Sequence, residues 1–175
     1  MIELVPLEIM GAFGVKTDLF KDTRGGFTRV WESNPQIEGF SIQEISYAFN
    51  PEVNTLRGIH FQSGEFAENK YIFCVSGVAF DVCLDLRKNS NFYLQSISVV
   101  IGPTCDYQGV YLPAGTAHGY LTLEIDTNLI YLMDKPYNAN ASSGLKWDDE
   151  SFQIPWPHTP KLISGRDNSW PRFDF

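Results

Sequence analysis

Short runs in which apolar and polar residues alternate dominate this chain, and turn residues separate one run from the next. Alternation with a period of two is typical of β-strands that bury one face. The runs predict strands at 70–75, 78–86, 95–101, 109–112, 117–123 and 128–133. We expect the first two to pair as a hairpin across Ser76-Gly77, and the last two to pair across the turn at 124–126. In the second strand Asp81, Cys83 and Asp85 share one face.

Many short strands at regular spacing predict an all-β fold, a sandwich or barrel with little helix. The one stretch with helical character is short and lies near 148–152. A length of 175 residues favours a single domain, 1–175, with a substantial core. Such a β-structure can hold a ligand in its mouth or interior. Because exposed strand edges tend to be covered by pairing, we expect a homodimer.

Charge and composition limit the kinds of partner that this chain is expected to bind. A formal net charge of −8 argues against nucleic acid, whose phosphates need clustered Lys and Arg. No apolar run approaches the roughly 18–20 residues needed to cross a bilayer. The first residues lack a basic segment followed by an apolar stretch, so no signal peptide is predicted. Cys74, Cys83 and Cys105 fit free thiols in a reducing compartment, so we expect a cytoplasmic protein.

The run Leu56–Gln62 carries the clearest chemical signal. Histidine is the side chain best placed to move protons near neutral pH, which makes His60 a candidate base. Arginine is shaped to hold a phosphate through two parallel hydrogen bonds, and Arg57 stands three residues earlier. Gly58 permits close approach of backbone or ligand. Together these residues suggest an enzyme acting on a phosphorylated small molecule, although Arg57 alone fits a surface salt bridge.

Four further side chains are candidates, each with a plain structural alternative. His118 follows a Pro-x-Gly turn, and it could be a metal ligand, a substrate contact or a turn cap. Together with His60 and a carboxylate it could also form a three-ligand metal site. Tyr131 fits either a core aromatic or a general acid. Lys70 fits either a strand-end lysine or a cation that stabilises an oxyanion. Asp167 matters if the C-terminal tail folds back and orients His60.

The motifs taken together resemble one family, the dTDP-4-dehydrorhamnose 3,5-epimerases and related sugar-nucleotide epimerases, which have a cupin-type β-barrel or jelly roll. The resemblance runs from about residue 19 to 167. The matching motifs are Asp22-x-Arg24-Gly25-x-Phe27, Gln43, Leu56-Arg57-Gly58-x-His60-x-Gln62, Lys70, Gly77-x-x-x-Asp81-Val82-x-x-Asp85-Leu86-Arg87, Pro113-x-Gly115-x-Ala117-His118-Gly119, Tyr131, Gly144-x-x-Trp147-x-Asp149, Ile154-x-Trp156-Pro157 and Ser164-x-x-Asp167.

The resemblance implies an epimerase that needs neither cofactor nor metal and inverts C3, C5 or both in a nucleotide-linked 4-keto-6-deoxyhexose through an enolate. It implies His60 as general base with Asp167 as its partner, Tyr131 as general acid and Lys70 as the cation beside the enolate. Substrate contacts are expected from Arg57 on the diphosphate and from Phe27, Gln43, Gln62, His118 and Tyr137. Arg24 is expected to reach into the neighbouring subunit's site.

Three departures from the family pattern lie near where the family contacts nucleotide and sugar. Arg29 stands where an acidic residue is usual, and Gln43-Glu44-Ile45 replaces the usual Gln-Asp-Asn. The segment 46–55 lacks the customary Ser and Lys. These departures leave the nucleotide base open. They also leave open a C3-only epimerase, a ketoisomerase, a metal-dependent cupin such as a dioxygenase, and a sugar-nucleotide-binding cupin without catalysis.

Overall fold

The structure, a computed structural model, describes residues 1–174. Most of its regular structure is β-strand. The strands are β1 (Ile2–Pro6), β2 (Phe13–Thr17), β3 (Leu19–Asp22), β4 (Gly25–Thr28), β5 (Glu44–Asn50), β6 (Thr55–Gln62), β7 (Lys70–Ser76), β8 (Ala79–Asp85), β9 (Ser96–Ile101), β10 (Gly109–Leu112), β11 (Thr116–Thr122), β12 (Thr127–Met133), β13 (Ser142–Gly144) and β14 (Leu162–Ile163). Within residues 1–174, helical structure consists of two 3₁₀ turns, Pro35–Ile37 and Gly64–Phe66, and one α-helix, α1 (Gly165–Asn168).

Two large sheets and one small hairpin make up the fold. Sheet I has the order β1-β2-β10-β7-β12-β5, and sheet II has the order β13-β6-β11-β8-β9 with β14 added beside β6. Strands β3 and β4 form a separate hairpin. All of these pairs are antiparallel except β14 with β6. The predicted all-β jelly roll of the cupin type is confirmed.

The two predicted hairpins are wrong, although their strands exist. Strand β7 belongs to sheet I and β8 to sheet II, so the chain changes sheet between Ser76 and Ala79. Strands β11 and β12 are separated in the same way. Gly77 makes the first crossing possible, since its φ is +67° and a Cβ there would lie 2.3 Å from the Thr127 hydroxyl oxygen. Alternation reports which residues share a face and says nothing about the partner strand.

The helix predicted near 148–152 is also wrong, because a carboxylate captures backbone groups that a helix would need. Asp149 accepts hydrogen bonds from the backbone N–H groups of Ser151 (2.9 Å) and Phe173 (2.6 Å), which fixes turns instead. The α-helix lies later, at Gly165–Asn168, where the Ser164 hydroxyl caps it by accepting from the Asp167 N–H (3.0 Å). Among residues 1–174, no helix has the length and apolar character that crossing a bilayer requires.

Apolar side chains pack in three layers. The middle layer lies between the sheets and includes Ile72, Cys83 and Leu129. The outer face of sheet I, apart from its edge strand β5, is covered by the segment 30–42, and the outer face of sheet II by the segment 145–173. Burying both faces of the central strands stabilises the sandwich and keeps its inner surface rigid. The polar side chains considered next emerge from that inner surface.

Candidate active site

A β-bulge in β6 brings Arg57 and His60 to the same face of sheet II. His60 pairs with His118 of β11, but Arg57 pairs with Tyr120, so the two residues between them on β6, Gly58 and Ile59, oppose the single Gly119 on β11. In a regular strand, residues three apart point to opposite faces. Gly58 sits in the bulge with φ of +133°, and a Cβ there would lie 2.5 Å from the Gly119 Cα. The glycine therefore allows the close backbone contact that aims both side chains inward.

The His60 ring is held by Asp167, which the C-terminal tail delivers. Strand β14 pairs with the start of β6, and α1 follows it directly. The Asp167 Oδ1 lies 2.6 Å from the His60 Nε2, and Oδ2 accepts from the Gly58 N–H at 3.2 Å. A carboxylate on Nε2 favours the tautomer that leaves Nδ1 free to accept a proton. The His60 side chain is 42% exposed, so this base is accessible.

The electrostatics of Asp167 favour its ionised form. Burial alone raises the pKa of this carboxyl, but the His60 hydrogen bond and charge, with the Gly58 N–H, hold the pKa below its usual 3.8. The Trp170 ring packs edge-on against the His60 ring, with centroids 6.3 Å apart. The imidazole is thus fixed by a charged partner on one nitrogen and by an aromatic wall.

Tyr131 lies on β12 in sheet I, opposite the histidines of sheet II. Its ring meets the His118 ring edge-on, with centroids 5.8 Å apart. Burial raises the pKa of the Tyr131 phenol well above its usual 10, and the neighbouring Tyr120 adds to the shift. A phenol with such a pKa stays protonated and can donate a proton or a hydrogen bond. The two walls thus offer a base on one side and an acid on the other.

On the sheet II wall, His118 of β11 is buried and paired. Its Nε2 lies 2.7 Å from Asp81 Oδ2, and both side chains are almost inaccessible to solvent. Burial raises the pKa of Asp81, while the His118 charge and hydrogen bond oppose that rise. The pair therefore forms a rigid part of the cavity lining beside Tyr131.

The two cations of the site are anchored differently. Arg57 donates from Nε to the Asn50 Oδ1 (2.8 Å) and from one terminal nitrogen to the Phe49 carbonyl (3.3 Å), which leaves part of its guanidinium exposed. Lys70 lies 2.6 Å from the Glu68 Oε1 and is mostly buried. An exposed guanidinium suits a diphosphate, and a buried ammonium suits a developing oxyanion.

These side chains surround a cavity of about 620 Å³ between the sheets. Its size fits a small-molecule ligand. Eight of the sequence-predicted site residues line it: Arg57, His60, Gln62, Lys70, His118, Tyr131, Tyr137 and Asp167. Gln62 lines the wall with its polar atoms already engaged, because its amide donates to Glu68 and its carbonyl accepts from the Asn138 N–H.

Three predicted contacts lie outside this chain's own cavity. Arg24 and Phe27 belong to the β3–β4 hairpin, where Arg24 pairs with Asp22 at 2.6 Å and Phe27 is 68% exposed. Gln43 is exposed and donates its backbone N–H to the Met133 carbonyl. Their roles stay predictions.

Sequence reasoning missed the groups that hold the predicted residues. Asp81, Glu68 and Asn50 engage His118, Lys70 and Arg57 respectively. Only Asp81 carried a usable signal, since an aspartate on an inward face of an apolar strand needs a partner. Arg166 was also missed; it lines the cavity, and its hydrogen bond lowers the pKa of the Tyr137 phenol.

The metal alternative depended on two histidines and a carboxylate sharing one site. Within residues 1–174, no three His, Cys, Asp or Glu side chains are grouped so that they could hold a metal ion. His60 and His118 instead each face a different aspartate.

Comparison with known proteins identifies the family. The family described as dTDP-4-dehydrorhamnose 3,5-epimerase matches residues 6–174. The enzyme of that name from Sinorhizobium fredii is 35% identical over 156 residues, covering 87% of this chain and 80% of its own.

Two solved structures agree with this assignment. The Bacillus anthracis dTDP-4-dehydrorhamnose 3,5-epimerase with TDP and PPi bound is 30% identical, with a TM-score of 0.90 over 99% of this chain and 100% of its own. ChmJ, a 3'-monoepimerase from Streptomyces bikiniensis in complex with dTDP-quinovose, is 27% identical, with a TM-score of 0.86 over 95% and 86%. The chain belongs to the dTDP-4-dehydrorhamnose 3,5-epimerase family and is a carbohydrate epimerase of deoxysugar biosynthesis.

Proposed function

We propose that this epimerase acts on dTDP-4-keto-6-deoxyglucose or a close relative and inverts C3, C5 or both. The observation that carries the proposal is the pair of facing walls: the accessible His60–Asp167 pair on sheet II and the Tyr131 phenol on sheet I. A ring held between them meets a base on one face and an acid on the other. Inversion at carbon requires that arrangement, because the proton leaves one face and returns to the opposite face.

The chemistry begins with the C4 ketone, which acidifies the neighbouring C–H bonds. His60 takes the proton with Nδ1, while Asp167 stabilises the imidazolium that forms. The electron pair moves onto the C4 oxygen, and Lys70 offsets that negative charge. Tyr131 then delivers a proton to the other face of the same carbon. Arg57 binds the diphosphate and so fixes the ring at a distance from the reacting bonds.

The number of centres inverted is the finer question. The similarity to a 3'-monoepimerase supports a C3-only reaction as the second candidate.

The choice of nucleotide base is a separate question, to which Arg29 and Ile45 are relevant because they depart from the family pattern. Arg29 is drawn toward Glu32 (3.2 Å), and Ile45 is exposed on β5.

We also propose a cytoplasmic homodimer in which Arg24 completes the partner's site. Strand β5 is the last strand of sheet I, and Ile45, Tyr47 and Phe49 stand exposed on its outer face. The β3–β4 hairpin, with Phe20 and Phe27 also exposed, pairs with neither large sheet. An apolar edge and an apolar hairpin of this size favour burial against a second copy.

Complementation tests the dimer proposal. Arg24→Ala and His60→Asn chains are unfolded together and refolded as a mixture. If Arg24 serves the partner's site, half of the dimers are hybrids with one intact site, so about a quarter of wild-type activity returns. If Arg24 serves its own site, or the protein is a monomer, none returns.

The substrate proposal is tested by proton exchange. The protein is incubated in D2O with dTDP-4-keto-6-deoxyglucose, and the C3 and C5 protons are followed by NMR. Loss of both signals supports 3,5-epimerisation, and loss of the C3 signal alone supports the 3-epimerase. A deuteron at C4 of a 3-keto product indicates a ketoisomerase, because C3 is then the carbonyl carbon and the proton returns to C4. The experiment is repeated with the UDP- and GDP-linked sugars. If the protein binds dTDP but exchanges no proton of any of these sugars, the proposed reaction is contradicted.

A further inference from the structure

Lys70, the cation assigned to the enolate, has a buried acidic partner that sequence reasoning did not foresee. The Lys70 Nζ lies 2.6 Å from Glu68 Oε1, and the two side chains are 12% and 6% exposed. Both residues line the cavity. A buried carboxylate beside an anionic substrate is unfavourable unless it is firmly paired. The placement of Glu68 therefore calls for an explanation.

The second oxygen of Glu68 is tied to the protein frame through Gln62. Glu68 Oε2 accepts from the Gln62 Nε2 at 2.7 Å. That amide also donates to the carbonyls of Phe66 (3.2 Å) and Pro136 (3.3 Å), and its own carbonyl accepts from the Asn138 N–H (2.6 Å). Three contacts with backbone groups hold Gln62, so Glu68 has a fixed attachment on the side away from Lys70.

Only a carboxylate fits between these neighbours. Gln62 and Lys70 both donate, so the group between them must accept at both of its oxygens. A glutamine at position 68 would have the same shape, but its NH2 would face one of the two donors. The geometry therefore uses the charge of Glu68 rather than its volume.

We propose that Glu68 is a positioning residue for the reaction: it holds the Lys70 ammonium in one orientation, with its remaining N–H groups directed at the C4 oxygen. The proposal rests on the function proposed above. Anchoring one side of the ammonium removes the rotamer freedom of a long lysine side chain. A donor already in place costs no reorganisation when the enolate forms.

Glu68→Gln tests the proposal with Glu65→Gln as the matched control, because Glu65 is exposed in the same loop. We expect Glu68→Gln to lower kcat by about 10- to 100-fold, the scale of a misplaced catalytic group, with KM within about twofold. The control should match the wild type. Unchanged kcat in Glu68→Gln would overturn the proposal.

A double-mutant cycle separates positioning from a general structural role. In a Lys70→Met background, Glu68→Gln should lower the remaining kcat by less than about twofold, since Glu68 acts only through Lys70. An equal loss in both backgrounds would show that Glu68 acts independently and would contradict the proposal.

The wild type, the two single variants and the double variant of this cycle can also be compared by urea unfolding, which needs no substrate. Lys70→Met leaves Glu68 buried without its cation and should lower the urea midpoint; adding Glu68→Gln should restore part of it. Additive midpoint shifts would overturn the pairing. If the wild type turns over no sugar nucleotide, the proposed function fails, while the urea cycle still decides whether Glu68 holds Lys70.

Discussion

The two histidines of sheet II, His60 and His118, each pair with an aspartate at nearly the same distance but differ in access to the cavity. His60 and Asp167 are 2.6 Å apart, and His118 and Asp81 are 2.7 Å apart. The His60 side chain is 42% exposed and the His118 side chain 6%. The strands place the two histidines directly opposite each other. Similar pair geometry therefore coexists with very different access to a substrate.

The aspartates show the same contrast. Asp167 comes from the tail, keeps backbone and side-chain donors, and has a lowered pKa. Asp81 comes from the middle of β8, where burial dominates and raises its pKa. A carboxylate stabilised as an anion suits a base that becomes positively charged, whereas a fully enclosed pair suits a scaffold. The comparison supports the proposal that the His60–Asp167 pair transfers protons and that the His118–Asp81 pair stabilises the fold.

The largest expected effect comes from exchanging each histidine for asparagine. His60→Asn should lower kcat for C3 proton exchange by about 10²- to 10⁴-fold, the usual contribution of a general base. His118→Asn should cost less activity and more stability, because it disrupts a buried pair. Steady-state exchange rates and urea unfolding of both variants check this. Equal activity losses would break the distinction between the pairs.

Removing the aspartates should rank the two pairs in the same order, with the larger stability loss in the His118–Asp81 pair. Asp81→Ala leaves His118 buried without its partner and should lower the free energy of unfolding by about 3–5 kcal/mol. Asp167→Ala leaves an accessible histidine that water can solvate, so its stability loss should be smaller and its activity loss larger. Chemical denaturation measures both. A larger stability loss in Asp167→Ala would contradict the assignment.

The smallest expected effect is a pH dependence of stability. The pKa of Asp167 is lowered on folding, so its stabilisation is present above its usual 3.8 and is lost as pH falls through the folded value. The difference in urea midpoint between the wild type and Asp167→Asn should therefore shrink below about pH 4. Asp81 has a raised pKa, so its ionisation opposes folding and Asp81→Asn should show the opposite trend. Parallel curves for both variants would contradict the two shifts.

Alternation predicted the strands β7 to β12 and an all-β sandwich or barrel, because it records which residues face inward. The jelly-roll class was implied by the resemblance to the epimerase family. The sequence did not predict the sheet partners of β7, β8, β11 and β12. A short connection that passes from one sheet to the other has the same residue pattern as a hairpin turn. The catalytic candidates were recognisable from motif order. The bulge was not, because Arg57 and His60 share a face only through a pairing shift against β11.

The supporting residues were the least predictable part of the site. Glu68 and Asn50 are ordinary polar residues in the sequence, and their partners become visible only when distant strands meet. Burial turns such residues into determinants of position, since a desolvated polar group must find a partner. The local sequence pattern does not show which polar residues will be buried and must find such a partner.

We propose that the two walls of the cavity serve opposite faces of the sugar. The most direct measurement is the fate of C3 in Tyr131→Phe with dTDP-4-keto-6-deoxyglucose in D2O, followed by NMR against the wild type. With His60 intact and the acid removed, we predict that deuterium enters C3 of recovered, uninverted substrate while inverted product falls by about 100-fold or more. Inverted product at the wild-type rate would contradict the claim.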